Sequence, residues 1–447
     1  MGDRVRRLLV AGMVAMTGAL AASTVGVLET PAGAPPASAA AAASPALLPP
    51  LPGWKPSLGP IFNEPGKARS TAIVNRVLQA IRHTPRGETI RMATYSFDRG
   101  EIAAALRKAR SRGVRVQVIV NERTASGVVF SLQRTLGSNP RRNNFVVTCP
   151  GRCRAPGDGG NQHIKIFSFT RTGGTRDLII GGSGNLTSKA VYRQWNDSWA
   201  IAYDPKVFNT WVGFFKQMKF QHRRGARVVQ TSQSHVAHPY QIWLQRQTVG
   251  SATAPLARSA AQDPVVRRIR SVGCNTRAGY GNANGHTVVR IMEYALFGGR
   301  GNQIANAIAA LKRGGCDVMV IGAVFSPSAI GIMQHAGVPV RMADWSFAER
   351  VPAEEDGLAG WGPRFYAHFK AMIVSGSYRG PDGVQQPTKS VWTGSENWSG
   401  ISFANEEVVV RFTDPAYYQA YFRQFNHLWT GRATHRAGIE PLNGPPA

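Results

Sequence analysis

Gln162–Leu186 reads QHIKIFSFTRTGGTRDLIIGGSGNL. His163 and Lys165 alternate within a short apolar run, which predicts one face of a β-strand. A second strand, DLIIGG, follows and ends in Gly182-Ser183-Gly184-Asn185. The design returns in the second part of the chain. Ala367–Val374 reads AHFKAMIV, with His368 and Lys370, and Ser390–Ser399 reads SVWTGSENWS, with Gly394, Ser395 and Asn397. A single His-x-Lys carries little information, because an isolated histidine is more often structural. Two copies, each followed by a strand and then Gly-Ser-x-Asn, point to one duplicated unit.

Outward from these motifs, the periodicities repeat in the same order. Ser70–Arg82 has helical spacing, with Ile73, Val74, Val77, Leu78 and Ile81 on one side. TIRMATYSF (89–97) is a strand, and Asp98 with Glu101 predicts a capping box for the helix that ends at Gly113. VRVQVIV (114–120) is the next strand, so a parallel sheet is expected. HTVVRIMEY (286–294), the helix over 302–314, CDVMVIGA (316–323) and a helix and strand over 329–342 echo that series. NDSWAIAY before Asp204-Pro205 matches NEEVVVRF before Asp414-Pro415, and an aromatic-rich helix follows each. The chain therefore contains an internal duplication. The expected organisation is 1–39 signal peptide, 40–60 Ala/Pro-rich linker or loosely docked arm, 61–220 first half, 221–285 connecting segment with strands suggested in it, 286–435 second half and 436–447 tail.

The 447 residues suffice for two ordinary domains or one large duplicated one, and the formal charge is +28. Such a charge speaks to partners and solubility rather than fold: anionic phosphates of lipid or nucleic acid, or a solvated Arg-rich surface. Arg4, Arg6 and Arg7, then the apolar stretch Leu8–Ala22, then small residues at Ala37-Ser38-Ala39 form the secretory pattern. Four cysteines in an exported chain favour disulfides over a zinc site, since no further close Cys or His pair accompanies Cys149 and Cys153. Cys149 and Cys153 bracket a tight loop ahead of His163, which leaves Cys274 and Cys316 as the other pair.

The paired motifs suit a phosphodiester. Lys165, Lys370, Asn185 and Asn397, with Ser183 and Ser395, can hold anionic oxygens. One imidazole can attack phosphorus while the other protonates the leaving alcohol and then activates water. Each imidazole needs a group to hold its tautomer. Counting back seven residues from the two Asp-Pro pairs assigns Asp197 and Glu407 to that task. The lysines neutralise the phosphate, so neither metal nor cofactor is required. His235 and His238 read as loop residues. Trp195, Trp392 and Trp398 could line a groove or pack in the core.

On His163, Lys165, Ser183, Asn185, His368, Lys370, Ser395 and Asn397 the chain resembles the phospholipase D superfamily over roughly residues 60–435. The resemblance implies a duplicated α/β sandwich: two pseudo-twofold-related halves, mixed or parallel sheets flanked by helices, and one site between them. It also implies metal-independent cleavage through a phosphohistidine, with His163 as nucleophile and His368 as general acid. The family's motif Asp falls at Thr170 and Ser375, neither of which is acidic. The expectation is a secreted, monomeric hydrolase of phospholipid head-group phosphodiester bonds acting at a membrane surface. The alternatives are a secreted metal-independent nuclease, for which Arg141-Arg142, Arg223-Arg224 and Arg267–Arg270 could grip nucleic acid, and a non-catalytic binder of anionic polymers or membranes.

Overall fold

Apolar alternation and amphipathic spacing build two sheets of matching design. The computed structural model describes residues 53–154, 160–221, 230–233, 240–244, 259–351, 360–380 and 382–445. The expected signal peptide, most of the linker, His235, His238 and Arg223-Arg224 lie outside the described residues.

The first half runs α1 (Ala72–Arg82), β1 (Thr89–Thr94), α2 (Gly100–Ser111), β2 (Arg115–Asn121), α3 (Gly127–Leu136), β3 (Phe145–Cys149), β4 (Ile166–Thr172), β5 (Thr175–Gly182), β6 (Asp197–Ile201) and α4 (Pro205–Lys219). The second runs α5 (Pro264–Arg270), β7 (Val288–Leu296), α6 (Gly298–Arg313), β8 (Asp317–Phe325), α7 (Pro327–His335), β9 (Val340–Met342), β10 (Lys370–Arg379), β11 (Gln385–Gly394), β12 (Val408–Phe412) and α8 (Pro415–Thr430). Six strands take the order β6-β5-β4-β1-β2-β3 in one sheet and β12-β11-β10-β7-β8-β9 in the other. In both, the β1-type strand is parallel to its helix-connected neighbour and antiparallel to the strand that follows the His-x-Lys. Matching order and matching polarity establish the duplication.

Local chemistry explains the element ends. Asp204 and Asp414 cap α4 and α8, accepting from Val207 N (3.0 Å) and Ala416 N (2.7 Å), with Pro at the first helical turn of each. The buried side of α1 holds Ile73, Val74, Val77, Leu78 and Ile81, as the spacing predicts. Fully burying side chains of this size is worth about 1.5–3 kcal/mol each. The capping box expected at Asp98 and Glu101 does not form. Asp98 instead accepts from Ser188 N (2.8 Å), and Glu101 pairs with Arg99.

The core does not respect the boundary between halves. One apolar cluster joins Ile166, Trp199 and Trp211 to Phe369, Ile373, Val410, Tyr417 and Phe425. Tyr417 Oη donates to Ala200 O (3.1 Å), which lays α8 across a strand of the other half. Trp195, Trp392 and Trp398 are buried core residues rather than groove walls.

Two further segments pack onto the halves. Residues 53–60 are a docked arm: Trp54 stacks on His83 (4.1 Å) and its carbonyl accepts from Gly174 N. The segment read as a connection supplies edge strands: Tyr240–Leu244 pairs with β12, and Gln230–Gln233 pairs with Tyr240–Leu244. Both disulfides form as paired in the sequence reading, Cys149–Cys153 and Cys274–Cys316. No helix among the described residues is long and apolar enough to cross a membrane.

Candidate functional site

Each Gly-Ser-x-Asn turn starts where its strand must clear the next one. Gly182 (φ 153°) and Gly394 (φ 156°) end β5 and β11, and a side chain on either would strike the carbonyl of Asp197 or Val408. Glycine is required there by both conformation and space. The serines that follow tie turn to strand. Ser183 Oγ accepts from Asp197 N (3.0 Å), and Ser395 Oγ accepts from Val408 N (3.0 Å).

The serine hydroxyls donate onward. Ser183 Oγ donates to Asn196 Oδ1 (3.1 Å), and Ser395 Oγ to Glu407 Oε2 (2.5 Å). Those two acceptors hold the histidines, each across the seam between halves. His163 Nδ1 lies 2.9 Å from both Glu407 oxygens, and His368 Nδ1 lies 2.8 Å from Asn196 Oδ1. A carboxylate and an amide oxygen only accept, so both rings carry the proton on Nδ1 and present Nε2 for chemistry. The backbone crosses in the same way: His163 N donates to Glu406 O (3.1 Å) and His368 N to Trp195 O (2.8 Å).

The histidines lie just ahead of β4 and β10, not inside them as the alternation suggested. Their backbone pairs with the other half instead of the home sheet: Gln162 bridges Glu406, and Tyr366–Ala367 pairs with Gln194–Trp195. Each motif lysine folds back onto its own histidine carbonyl, Lys165 Nζ to His163 O (3.0 Å) and Lys370 Nζ to His368 O (2.8 Å). Tyr95 and Tyr294 take matched places, with ring centroids 5.2 Å from His163 and 4.8 Å from His368. All eight motif residues, from His163 to Asn397, are buried. Neither amide atom of Asn397 has a hydrogen-bond partner among the described residues. Leaving a buried amide unsatisfied costs about 1–3 kcal/mol, so such a group calls for a polar ligand.

Asp197 is a correction. It does not hold a histidine: Asp197 Oδ2 accepts from Thr393 Oγ1 (2.6 Å) and Tyr421 Oη (2.6 Å) of the second half. Ladder register explains the shift. Gly182 pairs with Ser198 and Gly394 with Val409, which makes Asn196, not Asp197, the counterpart of Glu407. The first half carries one more residue between strand and Asp-Pro, and Tyr203 there adopts φ 62°.

Other residues of the site had no sequence signal. Asn405 Nδ2 donates to Glu407 Oε1 (3.0 Å), and Asn63 Oδ1 accepts from Asn196 N (2.7 Å). Glu406 accepts from Cys153 N (2.9 Å) and Arg154 N (2.8 Å), and pairs with the Arg154 guanidinium (3.3 Å). Burial raises the Glu406 carboxyl above its ordinary range, and Arg154 opposes that rise. Arg300 braces the second turn from below, donating to Asn397 O (3.1 Å), Ser399 O (3.0 Å) and Glu396 Oε1 (2.7 Å). Glu293 faces Lys370 across the ladder; burial holds its carboxyl well above the usual range, against the pull of Lys370. Thr170 and Ser375 stand where the resemblance expects Asp. Thr170 Oγ1 accepts from Thr89 N (2.8 Å) and donates to Glu88 Oε2 (2.6 Å), while Ser375 Oγ accepts from Gly281 N (3.0 Å). Both are structural contacts made by hydroxyls.

Residues 77–219 match the family model described as Cardiolipin synthase, PLD-like domain. Over those residues the chain is similar to PLD-like domains, as the motif resemblance to the phospholipase D superfamily implies. A search of curated protein sequences returns no match. Among solved structures, the chain is similar to phosphatidylserine synthase from Haemophilus influenzae, at 11% identity and TM-score 0.50, over 84% of this chain and 87% of that one. It is also similar to polyphosphate kinase from Porphyromonas gingivalis, at 13% identity and TM-score 0.48, over 86% of this chain and 53% of that one. The chain thus spans about half the length of that kinase. Nuc from Salmonella typhimurium is similar at 17% identity and TM-score 0.26, over 44% of this chain and 99% of that one. At these identities the likeness to the synthase shows the fold.

Proposed function

We propose that this chain is a secreted phosphodiesterase of the phospholipase D superfamily that hydrolyses phospholipid head-group esters through a phosphohistidine on His163. The observation that carries the reading is the crossed pair of anchors, Glu407 on His163 and Asn196 on His368. A carboxylate behind His163 stabilises the positive charge that grows on the ring as Nε2 attacks phosphorus. A neutral amide orients His368 without a counter-charge, which suits a ring that must give its proton up. In the first step the His163 Nε2–P bond forms and the P–O bond to the leaving alcohol breaks. That alkoxide takes the Nε2 proton of His368. In the second step His368 Nε2 removes a proton from water, whose oxygen attacks phosphorus and releases His163. Lys165, Lys370, Asn185 and Asn397 hold the non-bridging oxygens. Export is supported by the N-terminal pattern and by two disulfides. Lipid is supported by the cardiolipin synthase description of the matching family.

A second reading, a secreted nuclease, is favoured by the +28 charge and by cations that crowd one another. Arg91 is lowered to about 10 by burial and by Arg115, and Lys219 is lowered by burial, Arg91 and Lys216.

The test is a panel of phosphatidylcholine and phosphatidylglycerol vesicles and single- and double-stranded DNA in EDTA, with wild type and His163→Ala, plus rapid acid quench for phosphoenzyme. Head-group release and an acid-trapped phosphoenzyme, both lost in His163→Ala, support the lipid reading. DNA cleavage alone replaces it with the nuclease. No turnover of any substrate and no phosphoenzyme leave a binding protein.

A further inference from the structure

The backbone ahead of the two histidines is held by different means. Phe365–Ala367, which runs into His368, lies between Asp344–Trp345 and Gln194–Trp195 in a three-stranded ladder. Among the described residues no strand runs into His163; Gln162 makes an isolated bridge with Glu406. On that side the support comes from the Cys149–Cys153 loop.

Cys149 ends β3 and pairs in register with Asn121 at the end of β2, so the first sheet fixes its place. The disulfide carries that fixed point to Cys153. Between the two cysteines, Gly151 O accepts from Asn121 Nδ2 (2.8 Å) and from Gln162 N (2.9 Å). Cys153 N then donates to Glu406 Oε2 (2.9 Å), and Arg154 N to Oε1 (2.8 Å). Glu406 N in turn donates to Asn161 O (2.8 Å), and Glu406 O accepts from His163 N (3.1 Å). Asn405 closes the circuit: its Oδ1 accepts from Asn161 N (2.9 Å), and its Nδ2 donates to Glu407 Oε1 (3.0 Å). The loop therefore grips both segments that meet at the anchored ring, 161–163 and 405–407.

Restraint of the unfolded chain does not account for this bond. Its cysteines are separated by 4 positions, against 42 for Cys274–Cys316, and the loop entropy that a disulfide removes grows with length. Its contribution lies in the folded state, where both cysteines are fully buried and the loop that they close faces Glu406.

We propose that Cys149–Cys153 is a positioning disulfide: acting through Glu406, it sets His163 against Glu407, so that the attacking ring is held in place only once the bond has formed. The inference rests on the reading of His163 as nucleophile. The bond forms by exchange with a disulfide donor, which oxidises the two cysteine thiols and leaves as two thiols of its own. Such bonds persist in oxidising compartments, whereas reducing ones keep thiols reduced. The centre is therefore assembled in the former and idle in the latter.

The test uses the full chain with Cys149→Ala/Cys153→Ala, and with Cys149→Val/Cys153→Ala, which fills the buried volume better. Cys274→Ala/Cys316→Ala, which removes the other disulfide, is the control. Three quantities are read: melting temperature, kcat and KM on the substrate that the panel identifies, and the downfield proton resonance of His163 Nδ1, assigned by its shift in Glu407→Gln. Support is loss of that resonance and a fall in kcat of at least about tenfold, with KM changed less than about twofold, in a variant that melts no lower than the control. A resonance and kcat like wild type in either Cys149/Cys153 variant, or losses matched by the control, overturn the proposal. The resonance needs no turnover. A chain that forms no phosphoenzyme but whose resonance still depends on Cys149–Cys153 loses the phosphohistidine reading and keeps the positioning disulfide.

Discussion

His163 Nδ1 lies 2.9 Å from each carboxylate oxygen of Glu407, a residue 244 positions away in the other half of the chain. Glu407 also receives Ser395 Oγ and Asn405 Nδ2, so its orientation is fixed independently of the histidine. Glu407→Gln keeps the shape and removes the charge that supports attack. We expect kcat to fall between about 10²-fold and 10⁴-fold, by analogy with loss of the carboxylate behind other catalytic histidines, with KM nearly unchanged. Steady-state kinetics on whichever substrate the panel identifies would check this. Wild-type kcat in Glu407→Gln removes His163 from the nucleophile's role.

Asn196 and Asp197 are adjacent, yet they should fail differently. Asn196→Ala frees His368 and removes the acceptor of Ser183 Oγ, so activity is lost with a modest stability cost. Asp197→Ala leaves His368 anchored but strands Thr393 and Tyr421, whose hydroxyls both donate to it inside the seam. Unsatisfied buried partners of that kind cost about 1–3 kcal/mol each. Urea unfolding set beside kcat separates the two outcomes. Equal activity loss with equal stability in both variants would contradict the register given above.

This pair also marks what the sequence could and could not carry. The duplication, the eight motif residues and Glu407 are legible because each is tied to a local pattern: alternation, a glycine forced by a strand end, an Asp-Pro cap. Asn196 is not legible by counting from Asp204, because one residue inserted at Tyr203 leaves the cap intact and moves the strand register. Only the ladder, Gly182 on Ser198 against Gly394 on Val409, recovers the equivalence. Arg154, Asn63 and Glu293 act through distant or cross-strand partners, and no local spacing encodes them.

The Cys149–Cys153 loop presents two backbone N–H groups and the Arg154 guanidinium to Glu406, next to Glu407. Arg154→Met removes the partner of a fully buried carboxylate. We expect a loss of about 3–5 kcal/mol, the range for breaking a buried ion pair from one side. Arg154→Met with Glu406→Gln should recover much of it, since no charge is then left uncompensated. A double-mutant cycle by urea unfolding gives the coupling directly. Additive losses would show that the guanidinium and the carboxylate act separately.

Glu293 provides the pH test. Its carboxyl is buried beside Lys370, accepts from Ala295 N (3.3 Å), and lies in the field of Glu396 as well. Burial raises it well above its ordinary value of 4.5. The folded state therefore binds this proton more tightly than the unfolded chain. By linkage its contribution to stability is fully present below about pH 4.5 and is lost as pH rises toward the raised folded value. Glu293→Gln keeps the shape and the acceptor oxygen but cannot ionise. We expect the melting temperatures of the two proteins to be closest at pH 4. The variant should gain on wild type as pH rises, and be the more stable at pH 8. Thermal melts at pH 4, 6 and 8 decide the matter. A difference that stays constant across that range means that Glu293 has the same affinity for its proton folded and unfolded, and that Lys370 rather than burial governs it.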